Sequence, residues 1–242
     1  MLKSSIKEIE VYMMFEKYND LTNFNIDLHI HSTFTDGKDS IVDIVKQAEA
    51  INLETIAITD HIRENSTYFD EYIQEIIRIR KTTNIKILIG FEARIKNFQG
   101  EVDVANEIYA KSDIKIASVH RFTIGKKVYN PDFFPKEIAQ EIEFDLSLAA
   151  LKNINKEFNV LGHPGGMSLR YFNDFPLEYF EEIIIACKEN SIAFDLNSHY
   201  HRSVYPELIK LLREHNPLIS LGSDAHNKLS IGKWRTLLKG EI

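Results

Sequence analysis

Seven short runs rich in Ile, Val, Leu or Phe alternate with helix-like segments along this 242-residue chain, and this alternation constrains the fold more than any other feature. The runs are "NIDLHIH", "ETIAITDH", "KILIGFE", "IKIASVH", "FNVLGHP", "IAFDLN" and "PLISLGSDAH". The helix-like segments are Asp39 to Asn52, Phe69 to Lys81, Val102 to Lys111, Lys136 to Glu157, Leu177 to Asn190 and Val204 to His215. A strand followed by a helix, repeated, predicts parallel strands with helical crossovers. We therefore expect one α/β domain over residues 1–242.

The segment before the first run, residues 1–24, is predicted to be a helical extension. Ile6, Ile9, Met13 and Met14 form an apolar face that fits a helix packed on the barrel, and a partner-binding helix is the alternative. This segment lacks a continuous apolar core and contains acidic residues throughout, so it resembles neither a secretory signal nor a membrane span. We expect a cytoplasmic protein without a membrane partner.

The charge balance restricts the partners of this chain. Lys and Arg number 29 against 36 Asp and Glu, a formal net charge of -7, whereas nonspecific nucleic-acid binders need clustered basic charge. An acidic balance also suits a protein that holds several divalent cations. The single cysteine, Cys187, lies in an apolar helical stretch, which predicts a buried core thiol and excludes a disulfide within the chain.

Residues able to bind a metal end all but one of the seven runs. They are His29 and His31, His61, Glu92, His120, His163, then Asp224 and His226; the sixth run ends in Asp195 and Asn197. The carboxyl ends of the strands in a parallel barrel meet at one rim, where active sites of such folds are built. A single histidine at a strand end is more often a hydrogen-bonded structural group, but six of nine histidines in this position favour a common site.

The first run shows how two ligands reach the same side. Side chains alternate across a strand, so His29 and His31 face the barrel interior together, with Asp27 placed to orient a ring. The turn "TDG" then returns Asp36 over the same rim, and "GSDAH" repeats the arrangement with Asp224 and His226.

A set of imidazoles and carboxylates without cysteine favours zinc, manganese or iron. Six His, two Asp and one Glu are too many for one ion, so we expect two or three divalent transition metal ions. Glu92 is well suited to bridge a pair of them.

The motifs "DLHIHSTFTDG", "AITDH", "GFEA", "SVH", "GHPG" and "GSDAH" occur in this order and resemble the metal motifs of the PHP (polymerase and histidinol phosphatase) superfamily. The resemblance runs from about Asn25 to Gly232. It implies a distorted (β/α)7 barrel, in agreement with the seven runs. The string "VLGHP", the later "NSHYHRSVYP" and the chain length are most similar to the histidinol-phosphate phosphatase branch, although His199 and His201 stand where that branch commonly has small residues.

The resemblance also implies which residues hold each ion. His29, His31, Glu92 and Asp224 would hold one metal, Glu92, His120 and His163 a second, and Asp36, His61 and His226 a third.

Two or three neighbouring cations suit phosphoester hydrolysis, because they ionise a water and neutralise charge on the phosphoryl oxygens. Our hypothesis is that a metal-bridging hydroxide near Glu92, in a centre that also contains Asp224, attacks a small-molecule phosphomonoester without a phosphoenzyme. Arg202 and Arg121 are candidates for binding phosphate. His199 and His201 are candidates for the leaving-group acid or for a substrate contact, with exposed loop histidines as the alternative. The segment "RYFNDF", Arg170 to Phe175, forms either part of the substrate wall or a packed cover on the barrel.

Histidinol phosphate is the leading substrate hypothesis, which would place the protein in histidine biosynthesis. The alternatives are a nucleotide phosphatase, an exonuclease-like phosphoesterase, or a noncatalytic metal-binding module. The sequence does not determine whether the chain is a monomer or a homo-oligomer.

Overall fold

The computed structural model describes residues 15–125, 127–155 and 158–238, which form a parallel barrel surrounded by helices. The strands are β1 (Glu16–Lys17), β2 (Ile26–Ile30), β3 (Thr55–Ile58), β4 (His61–Ile62), β5 (Lys86–Arg94), β6 (Ile114–Ser118), β7 (Phe122–Ile124), β8 (Lys127–Tyr129), β9 (Val160–Gly162), β10 (Ala193–Asn197) and β11 (Leu218–Gly222). The α-helices are α1 (Ile41–Ala50), α2 (Phe69–Ile79), α3 (Asn106–Lys111), α4 (Lys136–Lys152), α5 (Gly166–Phe172), α6 (Leu177–Glu189), α7 (Tyr205–His215) and α8 (Trp234–Leu237). Short 3-10 helices cover Tyr18–Asp20, Pro131–Phe133, His201–Ser203 and Lys228–Ser230.

Seven parallel strands pair in the order β2, β3, β5, β6, β9, β10, β11. A parallel bridge between Ile30 and Ala225 closes the ring, and the His31 N–H donates to the Ala225 carbonyl over 3.0 Å. The junction between β2 and β11, here called the barrel seam, is open at its other end. There β11 pairs with β1 instead, in antiparallel orientation, with Glu16 opposite Ile219. The prediction of a distorted (β/α)7 barrel is confirmed, and each of the seven predicted strands overlaps one strand of the ring.

All six predicted helices are present, and each is shorter than predicted, most clearly in two cases. Helix α3 begins at Asn106 because Val102 is held in an antiparallel bridge with Ile95. Helix α4 ends at Lys152, since the next residue, Asn153, adopts an extended conformation. Ser40 is the N-cap of helix α1 and accepts a hydrogen bond from the Asp43 N–H.

Two helices and a hairpin were not predicted. Helix α5 begins at the last glycine of "HPGG", a string that indicates a turn, and α8 has only four residues. The hairpin β7–β8 follows His120 directly. Among the described residues, none of the helices is long and apolar enough to cross a membrane.

The predicted N-terminal helix falls mainly on residues 1–14, which lie outside the described residues. From residue 15 onwards the chain forms the strand β1 and a 3-10 helix, Tyr18–Asp20, so a helix over the whole of residues 1–24 is wrong. The physical reason is edge pairing: β11 offers free backbone groups that Glu16 and Lys17 satisfy.

The hydrophobic core fills the space between the barrel and its helices. Leu28 and Ile30 of β2 are fully buried in it, as are Ile44 of α1 and Phe180 of α6. Cys187 is also fully buried, as predicted, and burial raises the pKa of its thiol.

Candidate metal centre

The carboxylate of Glu92 lies at the centre of a group of imidazoles at the carboxyl end of the barrel. Its oxygens are 2.9 Å from Nε2 of His163, 3.0 Å from Nδ1 of His61 and 3.2 Å from Nε2 of His120. Nε2 of His29 and of His31 are each 3.5 Å away. One carboxylate thus reaches five imidazoles that come from four separate strands or strand ends.

A second carboxylate, Asp224, lies on the β2 side of this group. Its Oδ1 is 3.1 Å from Nε2 of His31 and 3.7 Å from Nε2 of His29. Asp224 follows β11 and His29 and His31 lie at the end of β2, so the seam that closes the barrel brings these three side chains together.

Asp36 occupies the outer rim, where the turn after β2 returns over the barrel. Its Oδ2 is 3.3 Å from Nε2 of His226 and 3.4 Å from Nε2 of His61. The turn is tight at Gly37, where a Cβ atom would lie 2.4 Å from the His31 carbonyl oxygen. Glycine is therefore required for Asp36 to approach the imidazoles.

An unusual backbone conformation directs the side chains of two of these residues. His163 has φ 29° and Asp224 has φ 50°, a left-handed region that non-glycine residues rarely adopt. Such strain persists where the surrounding structure fixes it, and it is concentrated at functional sites.

Asp195, at the end of β10, orients the inner imidazole. Its Oδ2 lies 2.9 Å from Nδ1 of His29 and also accepts the His163 N–H over 3.1 Å. The expectation that Asp27 orients a ring is wrong. Asp27 instead accepts the backbone N–H groups of Ser223 and Gly232 with its two oxygens and so holds the barrel seam.

The charges of the centre favour cations. Burial by itself would raise the pKa of Glu92, but the neighbouring His120 and His29 outweigh burial and hold this pKa well below its usual range. Burial would likewise lower the pKa of His61, yet hydrogen bonds with Asp36 and Glu92 raise it to about 10. A field that stabilises protons on imidazoles this strongly also stabilises divalent ions bound there.

Several buried polar atoms in the centre fit a metal ligand set. Nε2 of His29, Nδ1 of His31 and Oδ1 of Asp224 have no hydrogen-bond partner in the part of the chain that the structure describes. Leaving such atoms unsatisfied is costly, and a mixed nitrogen and oxygen donor set is the type that zinc, manganese and iron prefer. The residues present therefore fit the divalent ions that the sequence predicts.

The nine predicted metal ligands all converge at this rim, and of the other candidates His199 reaches it whereas His201, Arg202 and Arg121 do not. A cavity of about 460 Å³ opens over the centre. It is lined by Asp36, Lys38, His61, Glu92, His120, Arg170, His199, Tyr200, Asp224, His226, Asn227 and Ser230. His199 lies at the cavity wall, and its role as leaving-group acid or substrate contact stays a prediction.

His201 is a correction to the sequence analysis, because it is fully buried below the cavity. Its Nδ1 accepts the Asn197 N–H over 3.1 Å and its Nε2 donates to the Pro164 carbonyl over 2.9 Å. Both ring nitrogens are occupied, so His201 fixes the loop after β10 and does not contact a substrate.

The predicted phosphate-binding arginines are also corrected. Arg202 and Arg121 are exposed and do not line the cavity. Arg202 follows His201 and Arg121 precedes Phe122, and the side chains of His201 and Phe122 are fully buried. Neighbouring side chains in a short turn or strand point in different directions, so both arginines point outward. Arg170, which lies on α5, lines the cavity instead. Its guanidinium is within hydrogen-bonding reach of the Tyr200 hydroxyl. Its place in "RYFNDF" was the only signal in the sequence.

A closed parallel barrel with a rim of imidazoles and carboxylates defines the class as an α/β-barrel metalloprotein. The family model described as PHP domain matches residues 27–199, and the chain belongs to this family.

Relatives and solved structures agree with this assignment. The chain is 26% identical over 226 residues to "Probable phosphatase YcdX" of Escherichia coli O81 (strain ED1a), covering 89% of this chain and 84% of that protein. It is similar to the crystal structure of histidinol phosphate phosphatase (HISK) from Lactococcus lactis complexed with Zn, L-histidinol and phosphate. The TM-score is 0.70 at 28% identity, covering 89% of this chain and 92% of the other. A Listeria monocytogenes structure at 18% identity has the same TM-score and supports the fold.

Proposed function

We propose that this protein is a metal-dependent phosphatase that hydrolyses a small-molecule phosphomonoester. The observation that carries the proposal is the position of Glu92, in hydrogen-bonding or near-contact range of five imidazoles beneath an open cavity. The relatives are in keeping with it, since one is named a phosphatase and a solved neighbour holds phosphate with zinc.

Three groups of residues would hold the ions. His29, His31 and Asp224 form one, His61, Glu92 and His120 a second with His163 adjacent, and His31, Asp36, His61 and His226 a third. When bound, zinc, manganese or iron ions supply the Lewis acidity that ionises a water at neutral pH and neutralises phosphoryl charge.

The protein side chains around the cavity orient the ester. Arg170 is the arginine that reaches the cavity, so it rather than Arg202 or Arg121 is assigned to the phosphoryl oxygens, which a guanidinium binds with two parallel hydrogen bonds. His199 is assigned to the leaving-group oxygen, because it is the cavity imidazole outside the three groups of ligands.

A panel assay tests the function. Phosphate release is measured from histidinol phosphate, nucleoside monophosphates and short oligonucleotides with zinc, manganese or iron added. Histidinol phosphate is tested first because the Lactococcus lactis neighbour is a histidinol phosphate phosphatase. Release from any monoester supports the proposal, and release from oligonucleotides alone would indicate an exonuclease-like enzyme. If no phosphate is released from any substrate while elemental analysis verifies bound metal, the protein is a noncatalytic metal-binding module.

The His199 assignment has its own test. His199→Gln should slow hydrolysis of an alkyl phosphate, whose leaving group needs a proton, by about 100-fold, and should slow p-nitrophenyl phosphate much less. Equal losses on both esters would remove the proton-donating role.

A further inference from the structure

The cavity wall formed by Lys38, Asn227 and Ser230 has no part in the ligand groups described above. These three residues lie on the side of the cavity next to His226. The Lys38 N–H donates to the His226 carbonyl over 2.9 Å, which fixes the lysine backbone to the loop that carries the other two.

The charge of Lys38 is not neutralised within the protein. Its ammonium has no ion pair or hydrogen bond with any residue of 15–125, 127–155 or 158–238. The neighbouring carboxylate in sequence, Asp39, is already engaged, since it accepts the Lys228 N–H over 2.8 Å and lies 3.5 Å from the Lys228 ammonium.

The two neighbours of Lys38 on this wall offer hydrogen bonds of the same polarity. Asn227 accepts the Leu229 N–H through Oδ1, so its amide NH₂ group is directed elsewhere as a donor. The Ser230 hydroxyl accepts weakly from Lys233 over 3.4 Å, which leaves its proton available.

The cavity also lacks a counter-charge for a cationic ligand. Its carboxylates are Asp36, Glu92 and Asp224, and each belongs to a metal-ligand group. Among the described lining residues no acid remains to pair with an amine, whereas a lysine ammonium and two neutral donors remain to pair with an anion.

We propose that Lys38, Asn227 and Ser230 form a second anion subsite, so that the substrate is a phosphomonoester whose leaving group carries its own carboxylate or phosphate. This inference rests on the proposed phosphatase function. It disfavours histidinol phosphate as the substrate, because the leaving group of that ester carries an amine. Lys38 is a specificity residue, and the metal centre performs the hydrolysis of either type of ester.

Three small esters of matched size test the charge preference. 2-Phosphoglycolate has an anionic leaving group, ethyl phosphate a neutral one and phosphoethanolamine a cationic one. The value of kcat/KM should be highest for 2-phosphoglycolate and lowest for phosphoethanolamine. In Lys38→Gln the ratio of kcat/KM between 2-phosphoglycolate and ethyl phosphate should fall by about three- to tenfold, the effect of one charge-assisted contact at a solvated rim. Lys210→Gln, on the outer face of α7, is the matched control and should leave this ratio unchanged.

Binding supplies a readout that does not depend on turnover. The matching phosphonates are 3-phosphonopropionate, propylphosphonate and 3-aminopropylphosphonate, and calorimetry of the metal-loaded protein should give the same order of affinity. The preference for 3-phosphonopropionate should shrink in Lys38→Gln. Equal kcat/KM for the three esters, or a preference that survives in Lys38→Gln, would overturn the subsite and leave the phosphatase function standing. Failure to hydrolyse any monoester, with equal binding of the three phosphonates, would overturn both.

Discussion

Glu92 is the residue on which the candidate site depends most, because five imidazoles approach its two oxygens. Removing its charge while keeping its shape leaves these imidazoles without their common partner. The sequence placed Glu92 at the end of the third run and assigned it a bridging role. That role stays a prediction, and the observed distances support it.

We expect Glu92→Gln to lower phosphate release by more than about 100-fold and to reduce bound metal, since even indirect supports of metal ligands contribute 10- to 100-fold. The measurements are initial rates and metal content by elemental analysis. Glu71→Gln, an exposed position on α2, is the control and should behave as the unmodified protein. Full metal content together with full activity in Glu92→Gln would contradict the bridging role.

His201 makes a different contribution, to stability under acid. Burial lowers its pKa to about 4, from an ordinary value of 6.5. Between these values the unfolded chain binds the proton and the folded chain does not. The stabilisation is therefore complete above about pH 6.5 and is lost as the pH falls towards 4.

Urea unfolding at pH 7 and at pH 4.5 measures this effect. The free energy of unfolding of the unmodified protein should exceed that of His201→Gln by more at pH 7 than at pH 4.5, because glutamine does not titrate. A gap of the same size at both pH values would show that folding does not lower the pKa of His201.

Helix α5 is the element that carries Arg170 to the cavity, and its beginning is held by a buried carboxylate of another helix. Glu143 of α4 accepts the Met167 N–H over 3.0 Å and the Ser168 N–H over 2.7 Å. These are free donors of the first turn, so Glu143 fixes where α5 begins and thereby where Arg170 lies.

Glu143→Gln should destabilise the protein by about 1 to 3 kcal/mol, because an amide NH₂ would face a backbone N–H. It should also raise KM more than it lowers kcat, since Arg170 is displaced while the metal ligands stay in place. Glu141→Gln, an exposed position on the same helix, is the control. Urea denaturation and steady-state kinetics measure both effects. An unchanged KM in a destabilised Glu143→Gln would show that α5 does not position Arg170.

On the scale of the whole molecule, ligands from β2, β5 and the segments after β6, β9 and β11 converge at one rim. Ions bound there tie together strands that are distant in sequence. The folded chain alone brings these ligands together, so ions that bind it stabilise it against unfolding.

Removing metal with a chelator should therefore lower the Tm by about 5 to 10 °C, the shift expected for a ligand present well above its Kd in a domain of this size. Adding zinc or manganese back should restore the Tm, as followed by calorimetry. Glu92→Gln should respond less to the chelator. A Tm that stays constant while elemental analysis shows metal loss would mean that the ions do not bind the native fold preferentially.

The sequence by itself determined the barrel and the candidate ligands at its rim. Strand periodicity, helix spacing and the residue that ends each run are local properties, and parallel connections force strand ends to one rim. For this reason the sequence predicts that His29, His120 and His163 meet. The helix α5 escaped prediction because its start is fixed by Glu143, which is distant in sequence.

Only the tertiary structure decided which side chains around the ligands face the cavity. The sequence favoured Arg202 and Arg121 by their nearness to strand ends, but the inward packing of His201 and Phe122 turns both arginines outward. It also decided that Asp195 rather than Asp27 orients His29. The direction of a side chain on a loop, and the residues that hydrogen-bond to a ligand, depend on neighbours from other parts of the chain. The alternation of side chains along a strand depends only on the backbone of the strand itself.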